Sequence, residues 1–299
     1  MDKLNLEILE KLGKLTREIR KEVSVMPKVG MDITQIIDYV ENKIFDNGYL
    51  PAFPCTVSVN EVAAHYTVFD EGLILNKGDL IKIDFGISQD GFITDNAVTI
   101  EVEDNKHEKL MKANLEGLNA IMENVQLGTT MSQMGEIVHK VAKSHGFETI
   151  HNLCGHQIGI NNLHYGLSVP NFKNNDSREV KENTQFAVEP FFTYGCTKIK
   201  SCGGSNILHL KDSKPVRDPI AKKVLNYIKE KYPHLPFSKR WLLTQFEKRK
   251  VLYALRILKN YNIIYEYDAL ATTDGSMVSQ YEDAVVFVDG KKSIITRIK

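Results

Sequence analysis

"KIDFGISQDGFITDNAV", residues 82–98, places two carboxylates on apolar runs joined by a turn-rich "SQDG". The runs have the length and β-branched content of strands, and Asp90-Gly91 is a strong hairpin signal. With the turn centred on that pair, Asp84 and Asp95 lie diagonally on one face of the hairpin. With the turn one residue earlier they face each other, with Cβ atoms about 5 Å apart. Either register makes the carboxylates converge.

Two carboxylates at one place in a sheet need an explanation. Like charges destabilise a strand pair, and a shared site forces one carboxyl group to keep its proton unless a cation neutralises both. A metal ion is the simplest candidate. The alternative is that both are turn-flanking acids on a solvated face, which fits poorly with the apolar residues of the same runs: Ile81, Ile83, Phe85, Ile93 and Val98.

The composition excludes some classes of protein. The 299 residues include 38 basic and 38 acidic ones, so no global field recruits nucleic acid or an anionic membrane, although a local patch stays open. The charged N-terminus reads as a helix and lacks the apolar core of a signal peptide, and no run approaches the roughly 20 apolar residues of a bilayer span. We expect a cytoplasmic protein whose four cysteines are reduced thiols.

Helices and strands alternate in blocks along the chain. A second helix follows in "MDITQIIDYVENKIFDNG", with Asp32 as its N-cap, and an extended segment follows in "YLPAFPCTVSVNEVAAHYT". Residues 105–122 and 131–145 are again helical in pattern. This order predicts a mixed α/β or α+β fold.

The chain also resembles itself. "LNKGDLIKIDFG" (75–86) is similar to "VKENTQFAVEPF" (180–191), which aligns Asp84 with Glu189. "TDNAVTIEV" is similar to "YEDAVVFVD", which aligns Asp95 with Glu282. A pseudo-twofold packing of the two halves would bring the four acids together.

The second half carries an insertion. Its acids are 93 residues apart, against eleven in the first half, so roughly 80 residues interrupt the second hairpin. "DPIAKKVLNYIKEKY", "RWLLTQFEKR" and "KVLYALRILKNYN" read as helices and "IIYEYDAL" as a strand, which predicts a winged-helix-like subdomain over 196–272, inserted into a catalytic domain of 1–195 and 273–299. Basic residues alternate with acidic ones there, so a covering role near the site is favoured over nucleic-acid binding.

Three histidines are candidates for the same site. His156 and His164 lie eight residues apart in "NLCGHQIGINNLH" and would be about 26 Å apart in an unbroken strand, so "GINN" must curl if both serve one site. Gly155 permits close backbone approach beside His156. His65, in "NEVAAHYT", is the third candidate. A lone histidine is usually a surface or core residue, but four converging acids weigh against that reading here.

The donor set predicts a metal centre and hydrolysis. Carboxylate oxygens with one imidazole suit Mn²⁺, Fe²⁺, Co²⁺ or Zn²⁺. Four acids can hold two such ions about 3.5–4 Å apart, an arrangement that generates hydroxide and stabilises a tetrahedral transition state. Histidines outside the ligand set could polarise the substrate or move protons.

The ordered ligand pattern of two Asp, one His and two Glu, together with "NEVAAHYT", resembles the methionine aminopeptidases with the pita-bread fold, over nearly the whole chain. The insertion, including "LPFSKRWL", is similar to that of the type 2 enzymes of archaea and eukaryotes, and the short N-terminus is similar to the archaeal form. The resemblance implies an α+β, creatinase/aminopeptidase-like pseudo-twofold fold. It also implies removal of the N-terminal methionine from nascent proteins and peptides, preferentially before a small second residue, by a hydroxide that bridges two metal ions.

The resemblance also implies roles for individual residues. Glu189 would act as the general base, His164 would bond the substrate carbonyl, and His65 would contact the scissile amide nitrogen and help proton transfer. The other roles fall into two sets: a pocket for the methionine side chain and the ligands of two divalent ions (Co, Mn, Fe or Zn). The pocket would involve Phe53, Leu163 and Tyr267, and the ligands would be Asp84, Asp95, His156, Glu189 and Glu282.

Two residues depart from the family pattern. Asp283 follows the last ligand where the family usually has His, and Cys154 stands where a small residue is usual. Both positions adjoin the predicted ligands, so they can alter the surroundings of the site without removing a ligand.

Competing functions stay open at this point. Prolidases and proline aminopeptidases share the ligand set, although the insertion and "NEVAAHYT" favour methionine removal. Some pita-bread proteins have lost catalysis and act as binding proteins, but loss of ligands marks that group and all five are present here. The expected partners are the N-termini of nascent polypeptides and peptides, with no membrane and no specific nucleic acid, and the chain is expected to be a monomer. Transient ribosome contact is a further open interaction.

Overall fold

The computed structural model of the protein describes residues 3–298. Within that range the helices are α1 (Leu6–Val23), α2 (Ile33–Asp46), α3 (Glu108–Asn124), α4 (Met131–Ser144), α5 (Pro219–Lys231) and α6 (Lys248–Asn260), with a 3₁₀ helix at Lys239–Thr244. The strands are β1 (Leu50–Pro51), β2 (Thr56–Val59), β3 (Val62–Ala64), β4 (Leu80–Phe85), β5 (Ile87–Gln89), β6 (Phe92–Ile93), β7 (Asn96–Glu101), β8 (Glu148–Thr149), β9 (Gly155–Ile158), β10 (Ser168–Val169), β11 (Thr184–Val188), β12 (Phe191–Thr193), β13 (Ile199–Leu210), β14 (Phe237–Ser238), β15 (Ile264–Thr272), β16 (Val278–Gln280), β17 (Asp283–Val288) and β18 (Lys291–Ile294).

The fold repeats one unit twice. In the first half, α1 and α2 bury their apolar faces against the antiparallel sheet β2-β4-β7. In the second half, α3 and α4 pack against β9-β11-β17, the middle of a five-stranded sheet that β10 and β18 extend. Each unit buries one sheet face under a helix pair, which is a stable layer arrangement. The predicted α+β fold is therefore confirmed, and the aligned segments occupy equivalent strands.

Capping side chains begin the helices of both halves. The Asp32 carboxylate accepts from the backbone N–H of Thr34 at 2.7 Å, which confirms the predicted N-cap of α2. Thr130 and Gln133 form a reciprocal capping box at the start of α4. These bonds satisfy backbone donors that the first turn of a helix otherwise leaves free.

The hairpin of the first half has the turn centred on Asp90 and Gly91. Both residues have positive φ, +52° and +82°, as the tight turn of a two-residue hairpin requires. The same register continues into the longer pair, where Asp84 lies opposite Ala97. Asp84 and Asp95 are therefore diagonal neighbours on one face, as predicted for a turn centred on Asp90-Gly91.

The two halves meet at the ends of their inner strands. The backbone N–H of Glu282 donates to the carbonyl oxygen of Ala97 at 3.0 Å, which joins the start of β17 to β7. Val188 lies opposite Asp283 in the β11–β17 pair, so the next residues along this register are Glu189 and Glu282. The packing brings the acid-bearing strand ends of both halves to one place.

The insertion forms a cluster of its own. The α5 and α6 helices, the 3₁₀ helix and the adjoining ends of β13 and β15 share a hydrophobic core. The predicted helix in "RWLLTQFEKR" is the 3₁₀ helix, where the Ser238 hydroxyl accepts from the N–H of Arg240. Trp241 donates through Nε1 to Glu41 of α2 at 2.8 Å and so fixes the insertion to the first half. The boundaries 196 and 272 remain a proposal, because β13 and β15 extend out of this core and β15 pairs with β3.

Within residues 3–298 no helix is both long and apolar enough to cross a membrane. The four cysteines form no disulfide in the same range.

Candidate active site and metal centre

Four carboxylates and one imidazole converge where the two halves meet. Ligand atoms of Asp95, His156 and Glu282 all lie within 4.8 Å of one another. Nε2 of His156 is 3.5 Å from Oδ2 of Asp95 and 3.7 Å from Oε1 of Glu189. Asp84 lines the same cavity. All five predicted ligands are therefore brought together, although their role as ligands remains a prediction.

The imidazole reaches the acids because its strand packs tightly against β11. His156 lies opposite Ala187 in the β9–β11 pair. A Cβ atom on Gly155 would lie 2.4 Å from the Ala187 carbonyl oxygen, so only glycine lets the two backbones approach this closely. The close approach predicted at Gly155 is therefore present in the structure.

A glutamine that the sequence analysis did not single out joins the acids. Nε2 of Gln280 lies 3.2 Å from Oε2 of Glu189 and 3.4 Å from carboxylate oxygens of both Asp84 and Glu282. Gln280 stands two residues before Glu282, and the alternation of an extended segment places both on one side. This spacing is the signal by which the sequence marks Gln280. A neutral amide is not among the charged residue types that predict a metal site.

Burial and mutual repulsion disfavour the charged form of every acid in the cluster. Burial raises the pKa of Asp84 to about 7, against a hydrogen bond from Gln280 that lowers it. Burial and the neighbouring carboxylates raise the pKa values of Asp95, Glu189 and Glu282 well above the usual range. Without a cation the cluster holds protons, and a bound cation would favour their release.

The residues present fit a divalent metal ion. Oδ1 of Asp84 and Oε1 of Glu282 are buried and have no hydrogen-bond partner among residues 3–298. Unpaired buried carboxylate oxygens are costly, and coordination of a cation removes that cost. Burial lowers the pKa of His156 to about 3, which keeps its imidazole neutral, as a metal ligand must be. Oxygen donors with one neutral imidazole match Mn²⁺, Fe²⁺, Co²⁺ and Zn²⁺.

The chain curls after His156, as the sequence requires if both histidines serve one site. Gly159 and Asn162 pair across a tight turn, and Asn161 has a φ of +55°. The rings of His156 and His164 are consequently 4.4 Å apart, edge to face. Burial, followed by the nearby His65, lowers the pKa of His164 to about 4, so its ring is neutral at pH 7.

His65 is held in a strained backbone conformation beside the cavity. Its φ is +67°, which is costly for a residue with a Cβ and is found most often at functional sites. Nδ1 lies 3.2 Å from the carbonyl oxygen of Asp268. A carbonyl oxygen can only accept, so in the neutral ring Nδ1 carries the proton and Nε2 is free to accept one.

An apolar cavity of about 230 Å³ stands over the acids. The predicted pocket residues Phe53, Leu163 and Tyr267 line it, with Phe53 and Leu163 both buried. The ring of Tyr267 lies 5.8 Å from that of His65. The insertion adds two wall residues that the sequence did not predict, Ile207 of β13 and Pro236 just before β14, since these segments reach the site only through long-range packing.

The two departures from the family pattern have different surroundings. Asp283 faces away from the acids into a buried ion pair, where Nη1 of Arg20 donates to its Oδ1 at 2.6 Å and to the Glu282 carbonyl oxygen at 3.1 Å. Nε of Arg297 lies 3.2 Å from Oδ2 of the same carboxylate. Cys154 lines the cavity, and burial raises its pKa, which favours the protonated thiol.

Two repeated halves that bury four acids and an imidazole under an apolar cavity define a metal-dependent hydrolase. The chain belongs to metallopeptidase family M24, whose sequence profile matches residues 7–211. It is 34% identical to the methionine aminopeptidase of Methanothermobacter thermautotrophicus over 294 residues, which cover 97% of this chain and 98% of that one.

Solved structures agree on the fold. A thermophilic Arx1 superposes with a TM-score of 0.83 at 14% identity, covering 98% of this chain and 91% of that one. The methionine aminopeptidase of Rickettsia prowazekii superposes with a TM-score of 0.70 at 19% identity, covering 99% of this chain and all of that one. The predicted pita-bread fold is confirmed, and the chain is a metallopeptidase similar over nearly its full length to archaeal methionine aminopeptidases.

Proposed function

We propose that this protein removes the N-terminal methionine from polypeptides whose second residue is small, using two divalent ions held by the four acids and His156. Membership of family M24 and the archaeal relatives support aminopeptidase activity. Family membership alone does not specify the preference for methionine, the number of ions or the roles of individual residues.

The observation that carries the proposal is the position of the acids beneath the apolar cavity. A volume of about 230 Å³ suits one side chain and the bond that follows it better than an extended peptide. The walls at Phe53, Leu163 and Tyr267 are apolar or aromatic, and an unbranched, polarizable thioether fits such surroundings well. The α-amino group of an N-terminal residue would meet the carboxylates, which favours release of one residue over internal cleavage.

The acids supply the site for the ions. Bound divalent ions lower the pKa of water and polarise a carbonyl group, which is the chemistry that peptide hydrolysis needs. Glu189 lies within this cluster and is the residue that we propose takes a proton from the attacking water. Gln280 keeps the Glu189 side chain in place through its 3.2 Å hydrogen bond.

Two neutral histidines are proposed to act on the substrate. His164 would donate to the oxygen of the scissile carbonyl, where charge develops in the transition state. His65 presents an unprotonated Nε2, because Nδ1 is committed to the Asp268 carbonyl, and would contact the scissile amide and move a proton. Both rings adjoin Tyr267, at 5.8 and 6.3 Å, so substrate and histidines share one wall.

The test is cleavage of two matched peptides, Met-Ala-Ser and Ala-Pro-Ser. Chelator-stripped protein is incubated anaerobically with each peptide, with and without Mn²⁺, Fe²⁺ or Co²⁺, and the products are identified by mass spectrometry. The proposal predicts metal-dependent loss of methionine alone. Cleavage before proline would assign the protein to the proline-specific relatives instead, and no cleavage with any metal would contradict an enzymatic role.

The native metal, a monomeric state, a cytoplasmic location and transient ribosome contact stay predictions from the sequence. The donor set accepts several divalent ions, and cellular supply decides among them.

A further inference from the structure

Two side chains lie next to the cavity, on the two strands that contribute Ile207 and Tyr267 to its wall. His209 of β13 lies directly opposite Tyr265 of β15. The neighbouring Leu208 and Ile264 belong to the helical core of the insertion. Because successive side chains of a strand point to opposite faces, His209 and Tyr265 lie on the other face, the one that contributes Ile207 to the cavity. We call His209 and Tyr265 the mouth pair.

A line of rings leads from the active site to the mouth pair. The ring of Tyr267 is 6.3 Å from His164 and 5.2 Å from Tyr265, and Tyr265 is 46% exposed. These two steps together span at most about three and a half residues of an extended chain, at about 3.3–3.6 Å per residue, and fewer where the line of rings bends. If His164 contacts the carbonyl of the first residue, the third residue of the substrate lies beside the mouth pair.

His209 has an unsatisfied polar edge. Its Nδ1 is buried without a hydrogen-bond partner in the described range 3–298, while the side chain as a whole is half-buried. A proton on Nδ1 would be a buried donor without a partner, and buried N–H groups are left unpaired more rarely than buried acceptors. Burial and the nearby His234 lower the pKa of His209, so the ring is neutral at pH 7. The single proton therefore belongs on Nε2, at the open edge of the ring.

We propose that the mouth pair is a binding subsite for the main chain of the third residue of the substrate polypeptide. Nε2–H of His209 donates to the carbonyl oxygen of that residue, and the exposed ring of Tyr265 packs against its backbone. Recognition of main-chain atoms suits a protein that must accept many sequences after the second residue. This subsite rests on the proposed function, because it assumes that an N-terminal residue occupies the cavity.

The test compares two amide-capped substrates, Met-Ala and Met-Ala-Ser, which differ in the third residue. The measured quantity is the ratio of their kcat/KM values with saturating Mn²⁺. For the unaltered protein we expect the longer substrate to be favoured. In His209→Leu the ratio falls about three- to tenfold, the factor of one net hydrogen bond. His209→Gln, which restores an N–H donor, recovers at least part of the ratio and also tests whether a fault in folding explains the loss.

Tyr261→Ala is the matched control, because Tyr261 is a 66% exposed aromatic residue of the same insertion, at the end of α6, and should leave the ratio unchanged. Equal loss on both substrates in His209→Leu, or no preference of the unaltered protein for the longer substrate, would overturn the subsite while leaving methionine removal intact. Hydrolysis of neither substrate by the unaltered protein would overturn the proposed function and the subsite with it.

Discussion

The first half joins its two acid-bearing strands by a two-residue turn, whereas the second half joins the equivalent strands through about 80 further residues. Both connections deliver two acids to the same point, because each strand pair is packed under its own pair of helices. Loop-closure entropy grows only slowly with length, so a long insertion costs little once the sheet is buried. Strand packing, rather than the connection between the strands, therefore positions the acids.

The halves also differ in register. Asp84 and Asp95 are diagonal neighbours, whereas Glu189 and Glu282 continue a register in which Val188 lies opposite Asp283. In each half the two acids are offset from direct pairing by zero or two residues, which is an even number. Both acids of a half therefore lie on one face of their own strand pair.

The residue after the second acid differs in charge. In the first half it is Asn96, whose amide donates to the Phe85 carbonyl oxygen at 2.6 Å. In the second half it is Asp283, which is held by Arg20 and Arg297. A neutral contact in one half corresponds to a buried ion pair in the other.

The largest effect on turnover is expected at Glu189, the acid of the second half that aligns with Asp84 of the first half. With Glu189→Gln we expect kcat to fall about 10²- to 10⁴-fold even at saturating Mn²⁺, since the proposed proton acceptor is lost as well as a proposed ligand. With Asp84→Asn the loss should be smaller and partly restored by excess Mn²⁺. Steady-state kinetics on Met-Ala-Ser over a range of Mn²⁺ concentrations measures both. Equal losses at saturation would mean that the acids have equal roles.

The two histidines offer the next comparison. We expect His65→Ala to lower turnover by roughly 10²-fold with metal content unchanged, because the role proposed for the ring is proton transfer and not metal binding. His164→Ala should behave alike, through lost polarisation of the carbonyl. Metal analysis beside turnover measurements tests both variants. Turnover at the unaltered level in His65→Ala would remove His65 from the mechanism, and loss of bound metal in either variant would make that histidine part of the metal centre.

The ion pair of the second half should be sensitive to removal of one partner. Arg20→Met leaves the buried Asp283 with Arg297 alone, and we expect the free energy of unfolding to fall by about 3 kcal/mol. The double variant Arg20→Met/Asp283→Asn should recover part of this loss, since the buried carboxylate is gone and the only charge that loses its partner is the partly exposed Arg297. Denaturant titration measures the three proteins. An Arg20→Met protein as stable as the unaltered one would show that the pair contributes nothing beyond its neutral counterpart at Asn96.

The smallest effect is expected at the turn of the first half. Gly91 has a φ of +82°, and an added Cβ would lie 2.7 Å from the Asn161 side chain. Gly91→Ala should cost about 1–2 kcal/mol through backbone strain. Gly146→Ala, at a φ of +78° with open space around it, is the control for strain without the contact. Thermal or denaturant unfolding distinguishes the two, and a smaller loss at Gly91 than at Gly146 would contradict the turn geometry.

The sequence predicts much of this arrangement for a physical reason. Asp90-Gly91 specifies its turn locally, and the internal repeat aligns Glu189 and Glu282 with the acids of the hairpin. Gln280 and Ile207 could not be predicted in the same way. Gln280 is marked only by its spacing from Glu282, and Ile207 is an ordinary aliphatic side chain that lines the cavity because distant strands pack together.

We propose that acids from both halves hold one metal centre. Anomalous diffraction at the Mn absorption edge, from crystals grown with Mn²⁺, tests it directly. We predict two Mn²⁺ ions about 3.5–4 Å apart, coordinated by Asp84 and Asp95 of the first half and by His156, Glu189 and Glu282 of the second. Ions coordinated by one half alone, or no anomalous peak at the convergence of the two sheets, would contradict the claim.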